Sequence, residues 1–140
     1  MKTLAKLLKA QRGEGYIDTV VSVMILVMLI VLSINVFSFL AAKQDMDYYA
    51  RELVEAAAIS GNTYGSDTYE RLYELYDETG IYPGFYWTAD YYGGNYGHVQ
   101  YGDTIRVTIV YTRYLDGFGI FRIPVTMTAT YSALSQVYWK

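Results

Sequence analysis

One histidine, His98, stands in a chain of 140 residues that contains no cysteine. A lone histidine cannot build a histidine-based metal site, and no serine or cysteine nucleophile with an evident partner accompanies it. His98 therefore reads as a strand residue. Three carboxylates, Glu70, Glu74 and Asp77, recur at i, i+4 and i+7. On a helix that spacing gives one acidic face, which could bind a hard cation. A solvated face is the plainer reading and is preferred. Without cysteine there is no thiolate metal site and no disulfide. The expectation is no catalytic residue, no metal ligand and no cofactor.

The remaining chemistry is aromatic. There are 17 tyrosines, nearly all of them after the apolar run that ends at Ala42. Tyr82, Phe85, Tyr86, Trp87, Tyr91, Tyr92, Tyr96 and Tyr101 crowd one irregular segment with Gly93-Gly94-Asn95 in its middle. Clustered Tyr with Gly and Asn has the composition of adaptable contact surfaces, and such rings also stack on bases or sugars. Tyr86, Trp87, Tyr91 and Tyr92 are the expected contact surface. The competing reading is a small domain that uses tyrosine to fill a thin core and cover its sheet.

These residues hang on one stretch, Tyr16 to Ser60. It contains neither Gly nor Pro, so nothing in it forces a break in a helix. Thr19 to Ala42 is uncharged and mostly Val, Leu, Ile, Met and Phe, about the ~20 residues that cross a bilayer core. A helix over the whole stretch would be roughly 65 Å long, and only about half of it fits in lipid. The rest is expected to stand out of the membrane as a stalk. There Met46, Ala50, Leu53, Val54 and Ala57 form an apolar stripe, with Asp45, Asp47, Arg51, Glu52 and Glu55 mostly opposite. Gly61 supplies the stop.

Charge is distributed unevenly. The net charge is −3, yet residues 1–13 carry Lys2, Lys6, Lys9 and Arg12 and no acid. The positive-inside rule keeps this end in the cytoplasm and exports the acidic remainder as a single-pass membrane protein. An acidic exported part argues against nucleic acid as a partner. The leader, with Leu4, Leu7 and Leu8 among its lysines, can lie as an amphipathic helix on an anionic surface. Its glycines, Gly13 and Gly15, precede the apolar run rather than follow it, unlike an ordinary secretory signal. An uncleaved signal anchor is one reading.

The other comes from Arg12-Gly13-Glu14-Gly15-Tyr16-Ile17-Asp18. Here the chain resembles a type IV pilin-like precursor, above all the TadE-type pseudopilins and their relatives in Gram-positive bacteria and conjugative elements. In that family a prepilin peptidase cuts after a leader-terminal glycine, an acid sits fifth in the mature chain, and an apolar helix follows. By that resemblance Gly13 and Glu14 flank the cut and Asp18 is the fifth residue. Asp stands where the family usually has Glu. The motif covers residues 1 to about 60. Ser22, Ser33, Asn35 and Ser38 are the polar exceptions in the span. Ser22 and Ser33 share a helix face and can draw helices together, or such residues can bond back to their own helix. With Asp18, residues Ser22, Ser33 and Asn35 are the assembly candidates.

After Gly61 the chain reads as an α+β domain, residues 61–140. A short helix through TYERLYELYDE is expected, with Asp67 as N-cap, Glu70 as its capping-box partner, and Gly80 at its end. Tyr69, Leu72, Tyr73 and Tyr76 make one of its faces. Gly93-Gly94 reads as a tight turn between two short strands. Ile105, Val107, Ile109 and Tyr111 alternate with polar neighbours, and so do Ile123, Val125, Met127, Ala129 and Tyr131. These two runs should form an antiparallel hairpin turned at LDGFG, with Pro124 at a strand start or edge. The tail, SQVYWK, would extend the strand or lie exposed. The expected fold is thus 1–13 leader, 14–60 long helix with its span at about 19–42, and a small domain with a sheet of three to four strands. The resemblance implies membrane lipid, a prepilin peptidase and other pilin-like subunits as partners, and location in an extracellular pilus after processing. The alternative is a membrane-anchored binding domain.

Overall fold

A computed structural model describes residues 2–117, 119 and 121–140, with only the backbone described at 2–14 and 117. The chain divides into two compact units, Met1–Phe39 and Leu40–Lys140. One helix, α1 (Lys2–Ser60), runs through both without a break. It begins well before Tyr16, carrying the leader and both of its glycines in helical geometry.

In the first unit most of the described side chains are exposed. Val20, Met24, Ile30, Leu32, Ile34 and Phe37 are all exposed. Gly15–Ser60 is long and apolar enough to cross a membrane, which is consistent with a membrane anchor.

The second unit is built on the remaining turns of α1. Met46, Tyr49, Ala50, Leu53, Val54 and Ala57 are buried and form one side of the core. This is the stripe expected from the sequence, widened by Tyr49. Helix α2 (Ser66–Thr79) adds Leu72 and Leu75. Thr68 is also buried on that face, whereas Tyr69 and Tyr73 are exposed. The helix starts earlier than expected. Gly65 is its N-cap, in extended geometry with no side-chain cap bond, and Asp67 lies in the first turn instead of capping it. The reason is the preceding turn. Asn62 Oδ1 accepts from the Tyr64 N–H and the Asn62 carbonyl accepts from Thr68 Oγ1, so the chain is already reversed before Asp67. Gly80 closes α2 in the left-handed region, φ 67°, as a helix C-terminus demands of the residue there.

Three antiparallel strands complete the core: β1 (Gly84–Ala89), β2 (Thr104–Gly117) and β3 (Phe121–Leu134), in the order β1-β2-β3. One face is Phe85, Trp87 and Ala89 with Ile105, Val107, Ile109, Met127, Ala129 and Tyr131, packed on both helices. The period-two pattern of the sequence set this register, because a slip of one residue would turn that whole face to solvent. The opposite face is threonine-rich, with cross-strand hydroxyl pairs Thr108–Thr130 at 3.1 Å and Thr112–Thr126 at 3.0 Å. Pro124 lies in an edge strand, as expected. The Thr128 carbonyl turns away from β2 and accepts from Lys43 Nζ at 2.8 Å. Residues of that parity therefore point to the free edge, where the N–H that Pro124 lacks has no ladder partner to miss.

The hairpin is longer than its alternation suggested. Asp116 and Gly117 pair with Arg122 and Phe121 inside the ladder, so the Asp-Gly pair is not the turn. The reversal falls at 118–120, of which 118 and 120 lie outside the described residues. The tail does not extend β3, and it is exposed only in part: Gln136, Tyr138 and Lys140 are exposed and Ser135 is buried. Residues Ser135–Lys140 do not hang free. The Gln136 N–H donates to the Ala58 carbonyl at 2.9 Å, and Trp139 Nε1 donates to the carbonyls of Gly61 and Val99 at 3.2 and 3.1 Å. The tail is thereby folded back over the end of α1.

Candidate functional site

The expected assembly residues all lie on α1 in the first unit. Asp18 and Ser22 are exposed. Ser33 Oγ donates to the Leu29 carbonyl at 2.8 Å and Asn35 Nδ2 to the Val31 carbonyl at 3.0 Å. Ser33 and Asn35 thus bond back to their own helix. That bond satisfies a hydroxyl or amide in an apolar setting without any neighbour. Gly13 and Glu14, which the pilin resemblance marks for processing, have a helical backbone, and their side chains lie outside the described residues.

The expected aromatic surface is divided by strand geometry. Tyr86 and Trp87 are consecutive in β1 and so face opposite sides of the sheet. Tyr86 is exposed beside Thr108 on the outer face, while Trp87 packs on the core with Phe85 at 6.3 Å between ring centroids. Tyr91 and Tyr92 lie in the following loop. Tyr91 is partly buried against the core and Tyr92 is exposed. Of the four, Tyr86 and Tyr92 are outward and Trp87 and Tyr91 serve the core.

That loop is built by its glycines. Gly93 and Gly94 adopt φ 61° and 71°, and the Asn95 N–H closes the turn on the Tyr92 carbonyl at 3.1 Å. The tight turn expected there is present, but its flanks are not strands. They are held by a single bridge, Tyr91 with Val99, and the Tyr92 N–H donates to the His98 carbonyl at 2.8 Å. The turn brings Tyr96 back over Tyr91, stacked at 5.1 Å, and against Tyr64 at 5.9 Å. Burial first, then the neighbouring Tyr91, raises the Tyr64 phenol above its ordinary pKa. Tyr96 belongs to the crowded aromatic segment, but Tyr64 lies outside it in the sequence and is joined to it by a bridge between Asn62 and His98.

His98 is likewise placed by distant residues. Its ring lies flat on Trp139, 3.8 Å between centroids and 3° between planes. Arg71 organises the opposite flank of the unit. It pairs with Glu52 of α1 at 3.1 Å, with Glu74 at 2.8 Å and with Glu78 at 3.1 Å. Of the acidic triplet, Glu70, Glu74 and Asp77 are exposed, and Glu74 is engaged by Arg71. Among the described residues no group of three or more acid or histidine side chains is arranged to hold a metal ion. An open groove of about 590 Å³ runs between α1 and β3. Arg51 and Glu55 stand on its wall, with Arg51 6.0 Å from the Tyr131 ring centroid.

The second unit is an α+β unit built on the later turns of α1, and the described residues of α1 before it are mostly exposed and apolar. Residues 23–140 match the family model described as Domain of unknown function (DUF4320), and the chain belongs to that family. No curated protein and no solved structure matches it.

Proposed function

We propose that this chain is a pilin-like subunit, minor or priming rather than bulk, of an extracellular type IV or Tad-like filament, or of the secretion or conjugation machinery that builds one. It is stored in the membrane and trimmed by a prepilin peptidase. One observation carries this reading. A single uninterrupted helix does two jobs, exposing apolar side chains along its first half and supplying the core of an α+β unit with its second. A helix that only anchored a domain would have no need to be its core. The order of basic leader, Gly13, Glu14 and Asp18 ahead of the apolar run supports the same reading. No catalytic step belongs to it.

Cleavage between Gly13 and Glu14 is the test. Mass spectrometry of the mature protein from its own host should find Glu14 as the first residue, and Gly13→Leu should leave the precursor uncut. An intact leader on the mature protein would overturn the proposal.

A second reading, a single-pass anchored binding domain, is favoured by one feature. The stacked tyrosines Tyr64, Tyr96 and Tyr91 lie at the end of the unit where α1 stops, with Tyr96 largely exposed. Such an anchor would keep residues 1–13.

A further inference from the structure

We propose that the groove between α1 and the free edge of β3 is a docking site for an extended peptide segment of another protein. The segment adds to β3 as an antiparallel strand and carries a basic residue two positions before an acidic one. The site lies wholly within the second unit. It goes beyond the pilin reading, since it holds for a filament subunit and for an anchored domain alike.

The outward groups of β3 are assigned by parity. The Ser135 N–H donates to the Asp103 carbonyl and the Gly102 N–H to the Ser135 carbonyl, each at 2.9 Å. Residues of odd number are therefore turned toward β2, and those of even number toward the free edge. Two of the even residues are tied to α1. The Thr128 carbonyl accepts from Lys43 Nζ at 2.8 Å, and the Gln136 N–H donates to the Ala58 carbonyl at 2.9 Å. Between these ties lie Thr130, Ser132 and Leu134. Among the described residues, no hydrogen bond engages their outward N–H and carbonyl groups. Such a row of edge groups is a template for one more strand.

The space for that strand is present. The two ties make β3 run in the same sense as α1, and enclose about 26 Å of strand and about 22 Å of helix. The groove of about 590 Å³ lies along this interval, with Tyr101 and Tyr131 among its walls. Its volume falls within the ~300–1,000 Å³ of ordinary ligand sites.

Charge selects the occupant. Arg51 and Glu55 stand on the α1 wall, and among the described residues neither is in an ion pair. Arginine before glutamate is the weaker order for a pair within one helix, which leaves both groups to a partner. They are ~6 Å apart along the helix axis, and residues two apart on one face of a strand are ~6.6 Å apart, so the spacings match. Arg51, with its guanidinium 6.0 Å from the Tyr131 ring centroid, is the nearer to Lys43, and Glu55 the nearer to Ala58. The sheet is antiparallel throughout, and antiparallel pairing is the more stable kind. A peptide entering antiparallel to β3 passes Glu55 first and Arg51 second. Its basic residue therefore precedes its acidic one.

The probe is the end-blocked, fluorescently labelled peptide Thr-Val-Lys-Val-Glu-Val-Thr, compared with Thr-Val-Glu-Val-Lys-Val-Thr of the same composition. The full chain is held in a non-ionic detergent. Fluorescence anisotropy should show the first peptide bound about tenfold more tightly, as two attractive pairs replace two repulsive ones. The double variant Arg51→Glu, Glu55→Arg should reverse that preference. Amide hydrogen exchange should slow at Thr130, Ser132 and Leu134 when the first peptide binds. No affinity for either peptide, equal affinity for both, a wild-type preference for the second, or a preference that the double variant does not reverse would overturn the proposal. Selective binding without slowed exchange at those three amides would put the contact elsewhere and equally overturn it. None of these outcomes touches leader cleavage, so the proposal and the pilin reading fail separately.

Discussion

Arg71 shows what single residues contribute here. It lies on α2 yet reaches Glu52 on α1, and the Tyr48 hydroxyl, also on α1, donates to Glu78 at 3.0 Å. The two helices are thus joined by a charged clasp at the rim of the core. Hydrogen bonds from Arg71 and then Tyr48 hold the Glu78 carboxyl below its ordinary value of 4.5. A depressed carboxylate contributes stability that is present above its unfolded pKa and lost as pH falls through the folded one. The clasp should therefore weaken only below about pH 4.5. On the alkaline side, the Tyr48 phenol is raised, first by its hydrogen bond to Glu78. Its contribution is intact below the unfolded value of 10.0 and fades above it. Arg71→Ala should cost about 1 kcal/mol at neutral pH, the scale of a part-exposed network. It should also flatten the dependence of melting temperature on pH between 6 and 3. Thermal melts of both proteins across that range would reveal it, and parallel curves would show the clasp to be inert.

At the scale of elements, the tail is the least expected feature. Ser135 Oγ donates to the Val99 carbonyl at 2.7 Å from a buried position, and Trp139 exchanges two bonds with the Gln100 side chain, at 2.7 and 3.0 Å. Val137 fills the space over Gly61, where a Cβ would come within 2.6 Å of the Val137 Cβ. Gly61 adopts φ 62°, so it is needed twice, for the helix stop and for the tail. Deleting residues 137–140, or Trp139→Ala, should destabilise the unit by about 2–3 kcal/mol, toward the low end for losing a large aromatic that is only partly buried. A urea midpoint unchanged by either would show the tail to be merely laid on. None of this was legible in SQVYWK, because its partners lie up to 78 residues away. The helices and the hairpin were legible, since periods of 3.6 and 2 are local properties of Met46–Ala57 and of the two strands. The start of α2 was misread for a related reason. Ser66, Asp67 and Thr68 are all good caps by type, yet the turn held by Asn62 starts the helix before them, at Gly65. The aromatic surface was misread because neighbours in a strand are not neighbours on a face, so Tyr86 and Trp87 part company.

Asp18 is an exposed carboxylate one residue before the uncharged run, and its fate depends on what surrounds the whole molecule. A charge at the bilayer centre costs ~2.5–3.5 kcal/mol or more, and much less at the edge. Asp18 at the edge is tolerable in a lone anchor, where it serves little purpose. In α1 it is not an N-cap either, because the helix is already formed from Lys2. Removal of the leader changes that. With Glu14 as the first residue, Asp18 becomes the fifth, one turn from the new N-terminus, where its carboxylate and the new α-amino group are within one turn of each other. In a filament the exposed apolar side chains of α1 would be covered by other helices, and an unpaired carboxylate among them would be costly. By the pilin resemblance it pairs with the new α-amino group of its own or a neighbouring subunit. Breaking such a buried pair costs ~3–5 kcal/mol. Asp18→Ala should therefore leave expression, insertion and cleavage largely intact and abolish incorporation, while Asp18→Glu is tolerated. The measurement is the fraction recovered with sheared filaments or the membrane machine, relative to total membrane-bound protein. Normal recovery of the Ala variant would leave Asp18 with no role beyond its helix end and count against the filament reading.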